Sequence, residues 1–264
     1  MPEGLEAELY RRAAERCVGR RVAAVEVDAR QAMATEIGSV VPGHRIVGVH
    51  RIGKLLVLEL GDPSPRSPTL GLHFGMTGRL IVDDHAPIVR LEYASRRDDP
   101  AWDRLVLRFD DGGALRVNDP RRWATFTLDP DEERYGPDLL AVDAEVLGGA
   151  LTGRRAAIKA VLLDQTAVAG LGNLCVDEVL WQAGVSPTAR TDRLSARQVA
   201  ALADAMRVHL PAMLARGGSH RGTLDPEVRA VLPPCPRDGA PLRRDRVAGR
   251  TTVWCPTHQH DAQG

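Results

Sequence analysis

The chain has almost no lysine. Lys54 and Lys159 are the only two among 35 Lys and Arg side chains, so its cationic chemistry is mostly arginine chemistry. Such a skew reads as a coding bias of the genome. A lysine kept against it marks a place where a compact ammonium does what a planar guanidinium does not, which draws attention to Lys54. Net charge is also missing, with 35 basic against 35 acidic residues, and this excludes the simple argument from overall basicity to nucleic acid. Any such reading rests on local charge. The longest apolar runs, Lys54 to Leu60 and Ala156 to Leu163, are short and carry charge, which excludes a helical bilayer span. The opening Met1-Pro2-Glu3-Gly4-Leu5-Glu6-Ala7-Glu8 is acidic where a secretory leader is basic and then apolar, so the expectation is a cytoplasmic protein. Cysteine is limited to four residues. With 264 residues, 44% hydrophobic and 27% charged, the chain can bury a core without disulfides and is excluded from the disordered class.

What is there changes character along the chain. Glu3 to Val18 reads as a helix with Leu5, Leu9, Ala13 and Cys17 on one face and Gly19 as its stop. From Arg21 to Leu128 short strand-like runs follow: Val22 to Val27, Arg45 to Val49, Leu55 to Leu60, Leu70 to Phe74, Arg79 to Val82, Leu105 to Phe109 and Ala114 to Val117. Asp111-Gly112-Gly113 joins the last two as a hairpin. Many short strands with turn signals predict a β-sandwich or barrel. An acidic stretch, Asp129 to Glu145, separates this region from a helical one over Thr152 to Arg216, interrupted at Gly170-Leu171-Gly172 and at Gly184-Val185-Ser186-Pro187. Ser195 with Gln198 forms a capping box, and Val199, Leu202, Met206 and Met213 continue one apolar stripe. The expected organisation is α+β: residues 1–130 a helix plus β-sandwich, 131–218 a helical domain, and 219–264 a linker and hairpin.

Cys17 and Cys175 fall in predicted helices and read as small core residues. The other two cysteines stand in Cys235-Pro236-Arg237-Asp238 and Cys255-Pro256-Thr257-His258, paired clusters on either side of a hairpin rich in arginine. This is a zinc-ribbon layout with Cys235, Asp238, Cys255 and His258 as candidate ligands and His260 as a substitute. A tail this poor in apolar residues orders itself with difficulty, so one structural zinc would contribute folding energy. Asp238 is the unusual member, where a cysteine is expected. In the segment Asp164 to Glu178, a helix ending near Val168 gives way to a glycine-rich turn and a second helix capped by Asn173. The exposed amides of that helix start suit an anion such as phosphate.

The stretch Gln165 to Pro187, with Gly170, Gly172, Asn173, Glu178, Ala183-Gly184 and Pro187, resembles the helix-two-turn-helix element of the formamidopyrimidine-DNA glycosylase and endonuclease VIII family. Pro2-Glu3 with Glu6, Arg51-Ile52-Gly53-Lys54, His73-Phe74-Gly75-Met76-Thr77-Gly78, Asn118-Asp119-Pro120-Arg121-Arg122-Trp123 and Gly249-Arg250-Thr251-Thr252 follow in the family's order along almost the whole chain.

The resemblance implies a base-excision-repair DNA glycosylase with abasic-site lyase activity that acts on damaged double-stranded DNA; a monomer is the default expectation for its oligomeric state. Removal of Met1 makes the secondary amine of Pro2 the nucleophile, and Glu3 is the general acid/base beside it. Lys54 is the lysine that meets the damaged nucleotide and its phosphate. Asn173 and Arg250 clamp the phosphates flanking an extruded nucleotide. Met76, Arg121 and Trp123 fill the gap left in the duplex, with Trp123 where the family usually has Phe. Glu6 and Glu178 are supporting carboxylates. Two departures stand out: only 16 residues separate Gly218 from Cys235, where members cleaving 8-oxoguanine carry a longer capping segment, and Val89 to Asp103 is long and reads as a surface loop. The competing implication is a catalytically silent member that binds distorted or abasic DNA.

Overall fold

The computed structural model describes residues 2–62, 67–88, 91 and 97–261, and it falls into two compact units. Unit 1 holds Pro2 and residues 6–132; unit 2 holds residues 3–5 and 133–261. Met1 and residues 89–90 and 92–96 of the loop expected from Val89 to Asp103 lie outside the described residues; the described remainder includes a 3-10 turn at Pro100–Trp102.

Unit 1 contains most of helix α1 (Gly4–Ala14), which runs into a 3-10 turn at Glu15–Cys17. Tyr10, Ala14 and Cys17 are its fully buried residues on this unit, so the core stripe is centred one position later than Leu9 and Ala13. Strand β1 (Val22–Val27) is followed by a short helix, α2 (Ala34–Val40), that the sequence reading lacks. The remaining strands are β2 (Arg45–Ile52), β3 (Leu55–Gly61), β4 (Thr69–His73), β5 (Arg79–Val82), β6 (Asp103–Phe109), β7 (Ala114–Asn118) and β8 (Thr125–Leu128). They form two antiparallel four-stranded sheets, in the orders β1-β6-β7-β5 and β2-β3-β4-β8. Leu56, Leu58, Leu60, Leu70 and Leu72 from one sheet and Leu80, Leu105, Leu107, Leu115 and Val117 from the other share a single core with Tyr10 and Phe74. The expected β-sandwich is therefore present, and each alternate-residue face meets its partner sheet. Asp111 to Gly113 makes the β6–β7 turn as expected.

Unit 2 is helical up to Val231: α3 (Ala144–Leu151), α4 (Ile158–Leu163), α5 (Asn173–Ala183), α6 (Ala196–Ala215) and α7 (Pro226–Val231). Asp143 caps α3, its side chain accepting from the Val146 amide at 2.8 Å. The Ser195–Gln198 capping box is formed at the start of α6, and Leu202, Met206 and Met213 are buried along it. The unit ends in an antiparallel hairpin, β9 (Arg243–Val247) and β10 (Arg250–Trp254), packed through Val253 against Trp181, Leu224, Leu242 and the two cysteines Cys235 and Cys255. Among the described residues no helix is long and apolar enough to cross a membrane.

Candidate active site and nucleic-acid interface

In unit 1 the residues brought into play are Pro2, Glu6, Lys54, Met76, Arg121 and Trp123. Pro2 is buried, as is Glu6 in the first turn of α1. Lys54 sits in the two-residue turn between β2 and β3, half-buried, after Gly53. That turn is braced from α1: the Arg51 guanidinium donates to the Glu8 carboxylate at 3.3 Å and to the Gly53 carbonyl at 2.8 Å. Burial of Glu8 works to raise its carboxyl, but hydrogen bonds from Arg11 and Arg12 and the charges of Arg11 and Arg51 outweigh it and hold it at about 2. Met76 lies half-buried in the turn between β4 and β5, and Arg121 and Trp123 are exposed on the β7–β8 loop, Trp123 at 55%.

In unit 2 the start of α5 departs from the expected phosphate cradle. The Gly172, Leu174 and Cys175 amides donate to the Glu3 carboxylate at 3.1, 2.9 and 3.0 Å, so the anion held by this helix start is a carboxylate of the protein itself. A Cβ on Gly172 would fall 2.3 Å from Glu3 Cδ, which explains why a glycine precedes the helix. Gly4 is tied to the same turn by its amide, which donates to the Gly170 carbonyl at 2.8 Å. The cap position is Gly172, and Asn173 is the first helical residue rather than the cap. The preceding helix stops at Leu163, five residues before Val168.

One N–H of the Asn173 amide binds the hairpin: its Nδ2 donates to the Thr251 carbonyl at 2.9 Å. The same carbonyl accepts from Lys159 Nζ at 3.2 Å and Arg229 Nη2 at 3.1 Å. Asp177 on α5 pairs with both cations at 2.6 Å and also accepts from the Val253 amide at 3.1 Å. Lys159 and Asp177 are essentially inaccessible to solvent. Burial pushes the Lys159 ammonium below its ordinary range against the pull of Asp177. The second lysine of the chain is thus a structural cation, and this network places Arg250 beside Thr251. Arg250 is exposed immediately after the Ala248-Gly249 turn, both of whose residues have positive φ, the pattern of a tight hairpin turn. Glu178 holds the segment after α6: its carboxylate accepts from the Leu224 amide and from Gln182 Nε2, each at 2.8 Å. The short stretch between Gly218 and Cys235 is a 3-10 turn at Ser219–Arg221 followed by α7, whose Arg229 belongs to the buried network.

The candidate metal ligands converge. One donor atom from each of Cys235, Asp238, Cys255 and His258 lies within 4.8 Å of every other. Cys235 Sγ is 3.5 Å from His258 Nδ1, Cys255 Sγ is 3.2 Å from Asp238 Oδ2, and His258 Nδ1 is 3.3 Å from the same oxygen. A tetrahedral ion with bonds of roughly 2.0–2.3 Å spaces its ligands about 3.3–3.8 Å apart, so the donor set fits. His258 Nε2 faces the Trp181 carbonyl at 3.1 Å, which assigns its proton to that nitrogen and leaves Nδ1 for the ion. The ring of His260 is outside the group; its backbone pairs with Gly184 and Ser186. Thus Cys235, Asp238, Cys255 and His258 can hold a metal.

Two family models match the chain: the formamidopyrimidine-DNA glycosylase N-terminal domain over residues 1–126 and the formamidopyrimidine-DNA glycosylase H2TH domain over residues 135–224. Among curated relatives, the formamidopyrimidine-DNA glycosylases of Halorhodospira halophila and Paracoccus denitrificans are 35% and 34% identical over 98% of this chain and the whole of each relative. The fold resembles that of the wild-type Lactococcus lactis Fpg (MutM) in complex with a DNA containing N7-benzyl-Fapy-dG, with TM-score 0.81 and 28% identity over 98% of this chain. It resembles the same protein in complex with abasic-site DNA at TM-score 0.80. With motifs, fold and full-length relatives in agreement, the chain belongs to the formamidopyrimidine-DNA glycosylase family.

Proposed function

We propose that the secondary amine of Pro2, uncovered by removal of Met1, attacks C1′ of a damaged nucleotide and that Glu3 is its acid/base partner. The chain is a base-excision-repair DNA glycosylase, in a family whose members also cleave the abasic strand. The observation that carries the assignment is the seating of Glu3: three amides hold its carboxylate in one place, directly beside residue 2. Attack by the amine forms the N–C1′ bond as the base leaves, and loss of the sugar-ring oxygen from C1′ gives an iminium. The ring oxygen gains on opening the proton that the amine nitrogen gives up, and Glu3 is assigned its relay from one to the other. The cationic iminium acidifies the C2′ protons, and elimination then breaks the bond to the 3′ phosphate. C1′ of a nucleotide stacked within a duplex is out of reach of a protein amine, so the nucleotide has to be extruded before Pro2 can meet it.

Extrusion is assigned to the remaining residues. Lys54 is placed on the phosphate of the damaged nucleotide, Asn173 and Arg250 on the flanking phosphates, and Met76, Arg121 and Trp123 in the vacated stack. Glu6 and Glu178 are supporting carboxylates. We assign one structural zinc to Cys235, Asp238, Cys255 and His258; when bound, it supplies folding energy to the hairpin that carries Arg250. The shortness of the segment between Gly218 and Cys235 argues against 8-oxoguanine as the preferred lesion and for oxidised pyrimidines, ring-opened purines or bulkier adducts. A cytoplasmic location, where thiols stay reduced, suits four cysteines that form no disulfide, two of them assigned to the zinc; nucleoid association and a monomeric state complete the reading.

Borohydride reduction with abasic-site duplex tests the chemistry. The processed protein is expected to give a covalent adduct, Pro2→Gly to lose most of it, and protein retaining Met1 to give none while still binding DNA. Binding without any adduct from the processed protein would identify a silent DNA-binding member instead. A panel of duplexes with single lesions then assigns the substrate.

A further inference from the structure

The loop that carries Arg121 and Trp123 is built around a buried carboxylate that no part of the chemistry above uses. Asp119 is completely inaccessible to solvent. Its Oδ1 accepts from the Arg121 amide at 3.1 Å, and its Oδ2 from the Trp123 and Ala124 amides at 2.7 and 2.8 Å. Its fourth donor is the Thr77 hydroxyl, one residue past Met76 in the other turn. The backbone of Asp119 is fixed as well: its carbonyl accepts from Arg104 Nε at 2.8 Å, and its amide donates to the Trp102 carbonyl at 2.8 Å. Asp28 receives both Arg104 and Arg122, at 3.0 and 2.7 Å, tying the loop base to the sheet.

The rest of the loop's hold is slighter: beside the Arg122–Asp28 pair, the Arg122 amide donates to the Asp119 carbonyl at 3.3 Å and Gln31 Nε2 to the Ala124 carbonyl at 2.8 Å. Arg122 has φ +59°, a conformation that costs a non-glycine residue, and the two residues beside it are exposed. On the opposing turn, a Cβ at Gly75 would fall 2.5 Å from the Trp123 carbonyl oxygen, so the two turns are in direct contact there. A carboxylate accepting four donors is a strong organiser, because hydrogen bonds to an ionised acceptor are roughly twice as strong as neutral ones.

We propose that Asp119 is a positioning residue that locks the Met76 turn and the Arg121–Trp123 loop into one preformed wedge, so that the duplex is opened by a rigid element. This rests on the reading of Met76, Arg121 and Trp123 as the wedge. The exposed Trp123 ring, kept out of the core, has the apolar face that stacks into a base gap. Without Asp119 the loop amides turn to water and the tryptophan samples many positions, so each insertion has to order the loop again.

The test compares wild type, Asp119→Asn, Thr77→Val and Trp123→Ala in borohydride trapping on an abasic duplex and on the same abasic strand alone. A 2-aminopurine beside the site reports unstacking. An abasic sugar on a single strand has no partner strand to displace, so it needs no wedge. Asp119→Asn, which turns an acceptor into a donor facing amides, is expected to lower duplex trapping efficiency on the order of tenfold and to suppress the fluorescence rise, with single-strand trapping preserved. Thr77→Val removes only the link between the turns and is expected to act in the same direction by a few-fold; it decides the matter if Asp119→Asn does not fold. Equal losses on duplex and single strand, or no loss on duplex, overturn the role of Asp119. If Trp123→Ala loses duplex trapping and unstacking while Asp119→Asn keeps both, only the positioning claim falls. If Trp123→Ala keeps both, the wedge reading fails and the proposal falls with it.

Discussion

Strand β3 of the sandwich is buried at six of its seven residues, whereas strand β9 of the C-terminal hairpin is buried at one of five. The first is held by apolar area, at about 25 cal/mol for each Å² removed from water, and its neighbours β2 and β4 add Ile46, Leu70 and Leu72 to the same core. The second has Val247 facing inward and four polar residues facing out, so it is held by what lies at its ends. At one end are Cys235, Asp238, Cys255 and His258; at the other are the Lys159, Asp177 and Arg229 network and the Thr251 carbonyl. One region is specified by many interchangeable contacts and the other by a few that are not interchangeable.

The largest expected effect separates the two directly. Chelation is expected to remove one zinc per chain and, with it, metal-binding free energy of order 10 kcal/mol at pH 7. Amide exchange should become fast in β9 and β10 and stay slow in β3 and β4. Slow exchange throughout after chelation would show that the hairpin needs no ion. Next comes Asp177→Ala, which strands Lys159 and Arg229 without their carboxylate and is expected to cost about 3–5 kcal/mol. In thermal melts that loss should appear in unit 2, together with weaker DNA binding from a displaced Arg250. Leu72→Ala is the counterpart in the sandwich, at about 2–5 kcal/mol for a cavity in a packed core. It should lower the unfolding transition of unit 1 while zinc content stays at one per chain.

The smallest effects are electrostatic and have opposite signs in pH. Glu8 sits at about 2 in the folded chain against an ordinary 4.5, so its contribution is complete above 4.5 and fades as pH falls toward 2. Burial works to lower His50, but hydrogen bonds with Glu132 and Glu59 outweigh it and raise the imidazole; its contribution is complete below 6.5 and fades as pH rises through the raised value. In pH-dependent melts, Glu8→Gln should flatten the acid limb and His50→Gln the limb above neutrality. The reverse pattern would show that the arginine and glutamate partners are not what bind these groups.

The same contrast explains what was legible in the sequence. β1 and β5 were readable to the residue because each is a short run rich in β-branched and apolar residues, β5 being buried at all four positions, and the Ser195 box announced α6. Helix α2 and strand β8 escaped: α2 is about two turns with only Ile37 buried, and β8 is an edge strand of four residues with only Phe126 buried, so neither carries an apolar run that stands out in the sequence. The metal group was readable because ligand spacing survives in sequence. The Glu3 site was not: a helix start with glycine and asparagine looks the same whether its amides wait for a phosphate or already hold a carboxylate from residue 3, some 170 positions away. Asp119 and Asp177 were hidden for the same reason, since a buried acid and an exposed one are spelled alike. The scarcity of lysine was a usable signal for both ammoniums, yet it pointed to Lys54 and passed over Lys159.

That scarcity also makes the central claim easy to examine. After borohydride trapping with abasic-site duplex, digestion and mass spectrometry locate the reduced sugar among very few candidate amines: residue 2 after loss of Met1, Lys54 and Lys159. The adduct is predicted on the nitrogen of Pro2 in the N-terminal peptide. An adduct on Lys54 or Lys159, with an unmodified N-terminal peptide, would contradict the assignment of the nucleophile.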